Sequence, residues 1–97
     1  IMSTVKSAEK VLKVLKELSG HSLQGVSNQE LAERLNESPA QIHRQLQTLI
    51  AAGLAKQEEN GLFTLGTAMI KIAKNHLTEI ERAKARIAEI EQRTSTY

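Results

Sequence analysis

Apolar residues recur at the three-and-four spacing of amphipathic helices along most of this chain, interrupted once by a short alternating run. From about Ser7 to Leu18, Ala8, Val11, Leu12, Leu15 and Leu18 share one side, and Lys6, Lys10, Lys13, Lys16 and Glu17 take the other. Ser19-Gly20 ends this helix, His21 to Gly25 reads as a polar loop, and Val26 as a strand stub of one or two residues. Ser27 with Glu30 opens a second helix in the S-x-x-E pattern, in which cap and third residue satisfy each other's orphan N–H groups. Its inward residues are Leu31, Ala32 and Leu35. Ser38 and Gln41 repeat the device, with Pro39 at the first helical position, and Ile42, Leu46, Leu49 and Ile50 stripe a third helix that runs to Ala52 and stops at Gly53. Only Asn36-Glu37-Ser38 separates the two helices, so they must cross sharply, as a helix-turn-helix. Ala32 is small where they cross, and Asn36 tolerates the left-handed conformation the turn needs.

The alternating run follows directly. Leu54 to Glu58 and Leu62 to Leu65 flank Asn60-Gly61, the strongest short-range hairpin signal, and Phe63 and Leu65 should close over the three-helix core. A hairpin placed after such a helix pair is a wing. From Gly66 or Thr67 a last helix is predicted to about Arg93, roughly 40 Å long at 1.5 Å per residue. Met69, Ala73, His76, Ile80, Ala83, Ile87 and Ile90 form a heptad seam on it. Its N-terminal half is expected to pack on the winged body. The C-terminal half has nothing in this chain to bury its isoleucines against, so Leu77, Ile80, Ala83, Ile87 and Ile90 are assigned to dimerisation. The expected fold is therefore mainly α: a winged helix-turn-helix over residues 5–66 and a long C-terminal helix over 67–95.

Composition changes this picture little. Ninety-seven residues suit one small domain, and with only Phe63 and Tyr97 as aromatics the core is aliphatic. The absence of cysteine excludes disulfides and fits a reducing cytosol, and no signal peptide or membrane-length apolar run is visible, so a cytoplasmic location is expected. Ile1 ahead of Met2 reads as a cloning remnant.

Charge matters more. The net charge is +2, yet residues 1–66 hold seven Lys/Arg against seven Glu, and the whole excess comes from six Lys/Arg against four Glu in 67–97. A basic face must then arise by clustering, since a DNA-binding domain normally shows one. Catalysis has no foothold: there is no glycine-rich phosphate loop, nucleophile elbow or triad, and the chain has no aspartate. His21, His43 and His76 have no ligand spacing, so no metal and no cofactor are expected.

The outward face of the third helix carries Ala40, Gln41, Arg44, Gln47 and Thr48, with His43 at its border. Arginine is suited to guanine and glutamine to adenine edges. Alternatively, Arg44 is a solvated helix residue paired with Glu37, and Gln41 is spent on its cap. Ser38 and Thr48, together with Ser27, Asn28 and Gln29 at the start of the second helix, are candidates for phosphate. Lys56 and Asn60 offer wing contacts, though Glu58 and Glu59 beside them would be repelled by a duplex. The lysines of the first helix read as a solvated face, with a DNA contact as the alternative.

In this order these residues resemble the N-terminal DNA-binding domain of IclR-type bacterial transcription regulators. The resemblance covers about residues 5–77 and rests on Ser7–Leu12, Asn28–Leu35, Ile42–Leu49, Ala52-Gly53-Leu54 and Asn60–Gly66. It implies a homodimeric DNA-binding regulator with double-stranded DNA as partner, the third helix in the major groove, and no membrane association. Three departures stand out: Asn36-Glu37 at the turn where the family has a small apolar pair, Gln45 where it has an aliphatic residue, and a chain that ends at Tyr97 without the family's effector domain. The last implies a fragment or a ligand-blind form suited to a phage or mobile element, with no small-molecule effector evident. The alternative is a winged-helix protein-interaction module with little or no specific DNA binding.

Overall fold

A computed structural model describes residues 3–95; Ile1 and Tyr97 lie outside them. Four helices and one hairpin follow in the order α1 (Lys6–Leu18), α2 (Asn28–Leu35), α3 (Pro39–Ala51), β1 (Ala55–Gln57), β2 (Phe63–Leu65) and α4 (Thr67–Thr94). This is a winged helix-turn-helix with a long C-terminal helix.

The local signals explain the elements. Ser27 Oγ accepts from the Glu30 N–H at 3.0 Å and Ser38 Oγ from the Gln41 N–H at 3.2 Å. The reciprocal half of the first capping box is not made: the Glu30 carboxylate turns to Arg34 instead, 3.1 Å away and one turn along the same helix. Asn36 sits in the left-handed region (φ 54, ψ 48), and the Glu37 N–H reaches back to the Ala32 carbonyl, so α2 ends within a residue and α3 starts across it.

The core is aliphatic, as the composition requires. Val14, Leu18, Leu31, Ala32, Ile42, Leu46 and Leu49 are buried between the three helices, and Val26, Ala55 and Phe63 close it from the wing. One correction falls on α1. Its inward stripe is Val11, Val14, Leu15 and Leu18, whereas Leu12 is 51% exposed and Ala8 is also on the surface. Both stripes have helical spacing, and the axis along which α2 and α3 pack selects between them.

The wing pairs Ala55 with Leu65 and Gln57 with Phe63 in antiparallel register. Its turn closes with the Gly61 N–H on the Glu58 carbonyl (2.9 Å) and Gly61 at φ 86, so only the glycine of Asn60-Gly61 is left-handed. Val26 forms the expected stub, exchanging two hydrogen bonds with Phe63 on the other side of β2. β2 is thus the middle strand, and the Gly25 backbone lies over Thr64, which is buried although alternation would expose it.

A second correction concerns α4. Only Ala68 and Met69 are partly covered, and every described residue from Ile70 onward is exposed, so its N-terminal half does not pack on the winged body. The junction explains why. The Gly66 N–H bonds to the Leu54 carbonyl and the Ala68 N–H to the Gly53 carbonyl, which fixes the first turn of α4 beside β1 and aims the rest outward.

Candidate nucleic-acid interface

α3 buries Ile42, Leu46 and Leu49 and thereby presents Ala40, His43, Arg44, Gln47 and Thr48 to solvent, with Gln41 partly covered at one edge. Glu37, the expected partner of Arg44 in a purely structural role, pairs with Lys10 of α1 at 3.3 Å. No ion pair engages Arg44 among the described residues. Thr48 donates its hydroxyl to the Arg44 carbonyl at 3.1 Å, which leaves its oxygen outward as an acceptor.

The N-termini of α2 and α3 lie side by side. Asn28 Nδ2 donates to the Pro39 carbonyl at 3.0 Å and ties the two first turns together, while its Oδ1 is buried without a partner. Asn28 therefore faces the helix junction, and Gln29 is exposed beside it. Ser27 and Ser38 each use a lone pair on a cap, and their O–H groups remain able to donate to a phosphate.

The lysine of the wing is already engaged. Lys56 pairs with Glu58 at 3.2 Å, and Glu58 also accepts from the Thr64 hydroxyl at 3.0 Å. The Thr64 hydrogen bond, then Lys56 through its hydrogen bond and charge, hold the Glu58 carboxyl below its ordinary value. Asn60 Oδ1 accepts from the Leu62 N–H at 3.0 Å and so shapes the tip. Both wing candidates thus have a structural task in the free chain.

The sequence reading did not pick out the α1 side of this surface. A cleft of about 420 Å³ separates α1 from α3, with Lys6, Ser7 and Lys10 on one wall and Gln41, Arg44 and Thr48 on the other. The signal was present as Lys6 and Lys10, one turn apart, but nothing in an amphipathic pattern says which neighbour a polar face meets. Among the described residues no group of three His, Cys or Glu side chains is placed to hold a metal ion.

Residues 7–59, the stretch holding this surface, match the sequence profile of the IclR helix-turn-helix domain. The chain belongs to the IclR helix-turn-helix family. Two solved structures share its fold. HmgR from Pseudomonas aeruginosa is 32% identical with a TM-score of 0.71, matching 79% of this chain and 33% of its own. An IclR transcriptional regulator from Alicyclobacillus acidocaldarius is 27% identical with a TM-score of 0.68, matching 76% of this chain and 30% of its own. The chain thus spans about a third of the length of either structure. No curated protein sequence matches it closely enough to count as a relative.

The two departures from the IclR pattern inside the matched region have visible consequences. Asn36 makes the left-handed turn, and Glu37 anchors α3's approach to α1 through Lys10. Gln45 lies at the α1–α3 contact with its Oε1 buried and unpartnered, and it lines the cleft.

Proposed function

We propose that this chain is a sequence-specific double-stranded-DNA-binding transcription regulator that acts as a homodimer, with α3 in the major groove. The observation that carries the reading is the outward face of α3 in an IclR helix-turn-helix domain, with Arg44 at its centre, exposed and without an ion-pair partner among the described residues. A free guanidinium grips guanine O6 and N7 bidentately, and Gln47 addresses an adjacent base. Ser27, Gln29 and Ser38 meet the backbone from the paired helix N-termini, where the N–H groups and dipole favour an anion. α4 joins two copies through Leu77, Ile80, Ala83, Ile87 and Ile90 and sets the distance between half-sites. The wing, with Lys56 held by Glu58, adds little.

Selection of bound duplexes from a randomised DNA library at moderate salt tests this reading. A palindromic motif is the expected result, since a two-fold dimer reads two inverted half-sites. The exposed isoleucines of α4 also favour a second reading, in which that helix docks a different chain and α3 reads nothing. No enrichment from a folded protein would support that reading and overturn the first.

A further inference from the structure

A recognition helix with its side chains is about 10–12 Å across, close to the roughly 12 Å width of the major groove. Whatever stands beside such a helix therefore meets the phosphates that border the groove. On one side of α3 the neighbour is the N-terminal turn of α1, across the cleft that Lys6 and Lys10 share with Gln41, Arg44 and Thr48. Every charged residue lining this cleft is a cation. Of the nearby carboxylates, Glu9 is engaged by the Thr4 hydroxyl, and Glu37 lines the adjoining hollow, where it pairs with Lys10. Lys6 and Arg44 have no ion-pair partner among the described residues. Lys10 pairs with Glu37 while its own side chain stays about half exposed, and an ammonium with three donors can meet a second anion without giving up the first.

From this arrangement we infer that the α1–α3 cleft is a phosphate site. It takes a DNA backbone phosphate at the border of the groove, with Lys6 and Lys10 as its ligands. The inference rests on the DNA-binding reading and extends the contact surface to a helix outside the helix-turn-helix. It also separates the α1 lysines into two sets: Lys6 and Lys10 line this cleft, and Lys13 and Lys16 do not.

The test is the salt dependence of binding by the full chain to its selected duplex, followed by fluorescence anisotropy from about 50 to 200 mM salt, where phosphate contacts dominate the change. Lys6→Ala and Lys10→Ala should each lower the slope of log K against log salt by about one. They should also weaken selected and random duplexes by the same factor. Lys6→Arg, Lys13→Ala and Lys16→Ala should keep the slope, with circular dichroism confirming that every variant is folded. An unchanged slope in the Lys6→Ala, Lys10→Ala double variant overturns the cleft assignment while leaving the DNA reading intact. Wild-type protein without salt-dependent binding to any duplex sinks both, a separate and recognisable result. Inorganic phosphate titrated into the free chain is the last arm. Tight, saturable amide shifts confined to the cleft would make it a site for a free anion and overturn the backbone assignment.

Discussion

Arg44 and Glu58 make opposite use of their charges. Arg44 has no ion-pair partner among the described residues, and on the proposed reading its charge is used against DNA. Arg44→Ala is expected to cost about 1–3 kcal/mol in binding and to relax discrimination at one base pair of each half-site. Anisotropy with the selected site and a single-base variant measures both effects, and equal binding by wild type and variant would remove Arg44 from base reading. Glu58 is spent within the wing. Thr64 and Lys56 hold its carboxyl below the ordinary value, so the unfolded chain takes up that proton more readily than the folded one. Its stabilising contribution is complete above the ordinary glutamate range and is lost as pH falls through the lower folded value. The protection of the Phe63 and Leu65 amides, corrected for the intrinsic exchange rate at each pH, should therefore fall on acidification, and Glu58→Gln should flatten that dependence; an unaltered profile would show that the carboxylate does not hold the wing. Single residues were unevenly legible in the sequence. Asn36 was readable as a left-handed turn because the need and the residue type coincide at one position. Val14 and Thr64 were not, because their burial is set by what packs over them: the shared core of helices and wing for Val14, and the polar loop ending at Gly25 for Thr64.

Elements were more legible than residues, because their signals are local. Serine caps, a proline at the first helical position and a glycine stop fix α2 and α3 almost without reference to the rest of the chain. The outward face of α3 follows at once from its buried stripe. Junctions carry no such local signature, and the point where α3, the wing and α4 meet depends on backbone packed against backbone. A Cβ on Gly66 would overlap the Gly53 carbonyl oxygen and lie 2.7 Å from the Ala55 N, and neither is a side chain that can move aside. Gly53 is itself left-handed, at φ 77. Gly66→Ala should therefore destabilise the fold by about 1–3 kcal/mol, the usual range for forcing extra atoms into a packed site. Urea unfolding measures it. A wild-type midpoint would mean that the junction yields and that the direction of α4 is not fixed there. The same crowding explains the miss on α4: its heptad seam was readable from the sequence, but the direction in which Gly66 launches it was not.

At the scale of the whole molecule, α4 dominates the shape. The Cα radius of gyration is 19.2 Å, against about 12.5 Å for a compact domain of this length. The helix projects a seam in which Ile80, Ile87 and Ile90 are 37%, 56% and 47% exposed. Helical stability in proteins comes mostly from packing an amphipathic face, and a lone helix in water gains little of it. A partner helix on the seam supplies that packing, and a second copy brings the same seam at the same chain position. Helix content and association should then be coupled. On dilution, far-ultraviolet circular dichroism should fall over the range in which light scattering reports dissociation. Ile87→Glu puts a charge at the seam, where its copy on the partner would face it or lie close by. The variant should be monomeric in light scattering and less helical by circular dichroism, while the winged body, whose core lies in α1–α3 and the wing, stays folded. It should still recognise a single half-site through α3 but lose the affinity that comes from engaging two at once. A dimer that persists in Ile87→Glu would place the interface elsewhere, and a folded wild-type monomer at all concentrations would leave the seam for a different chain.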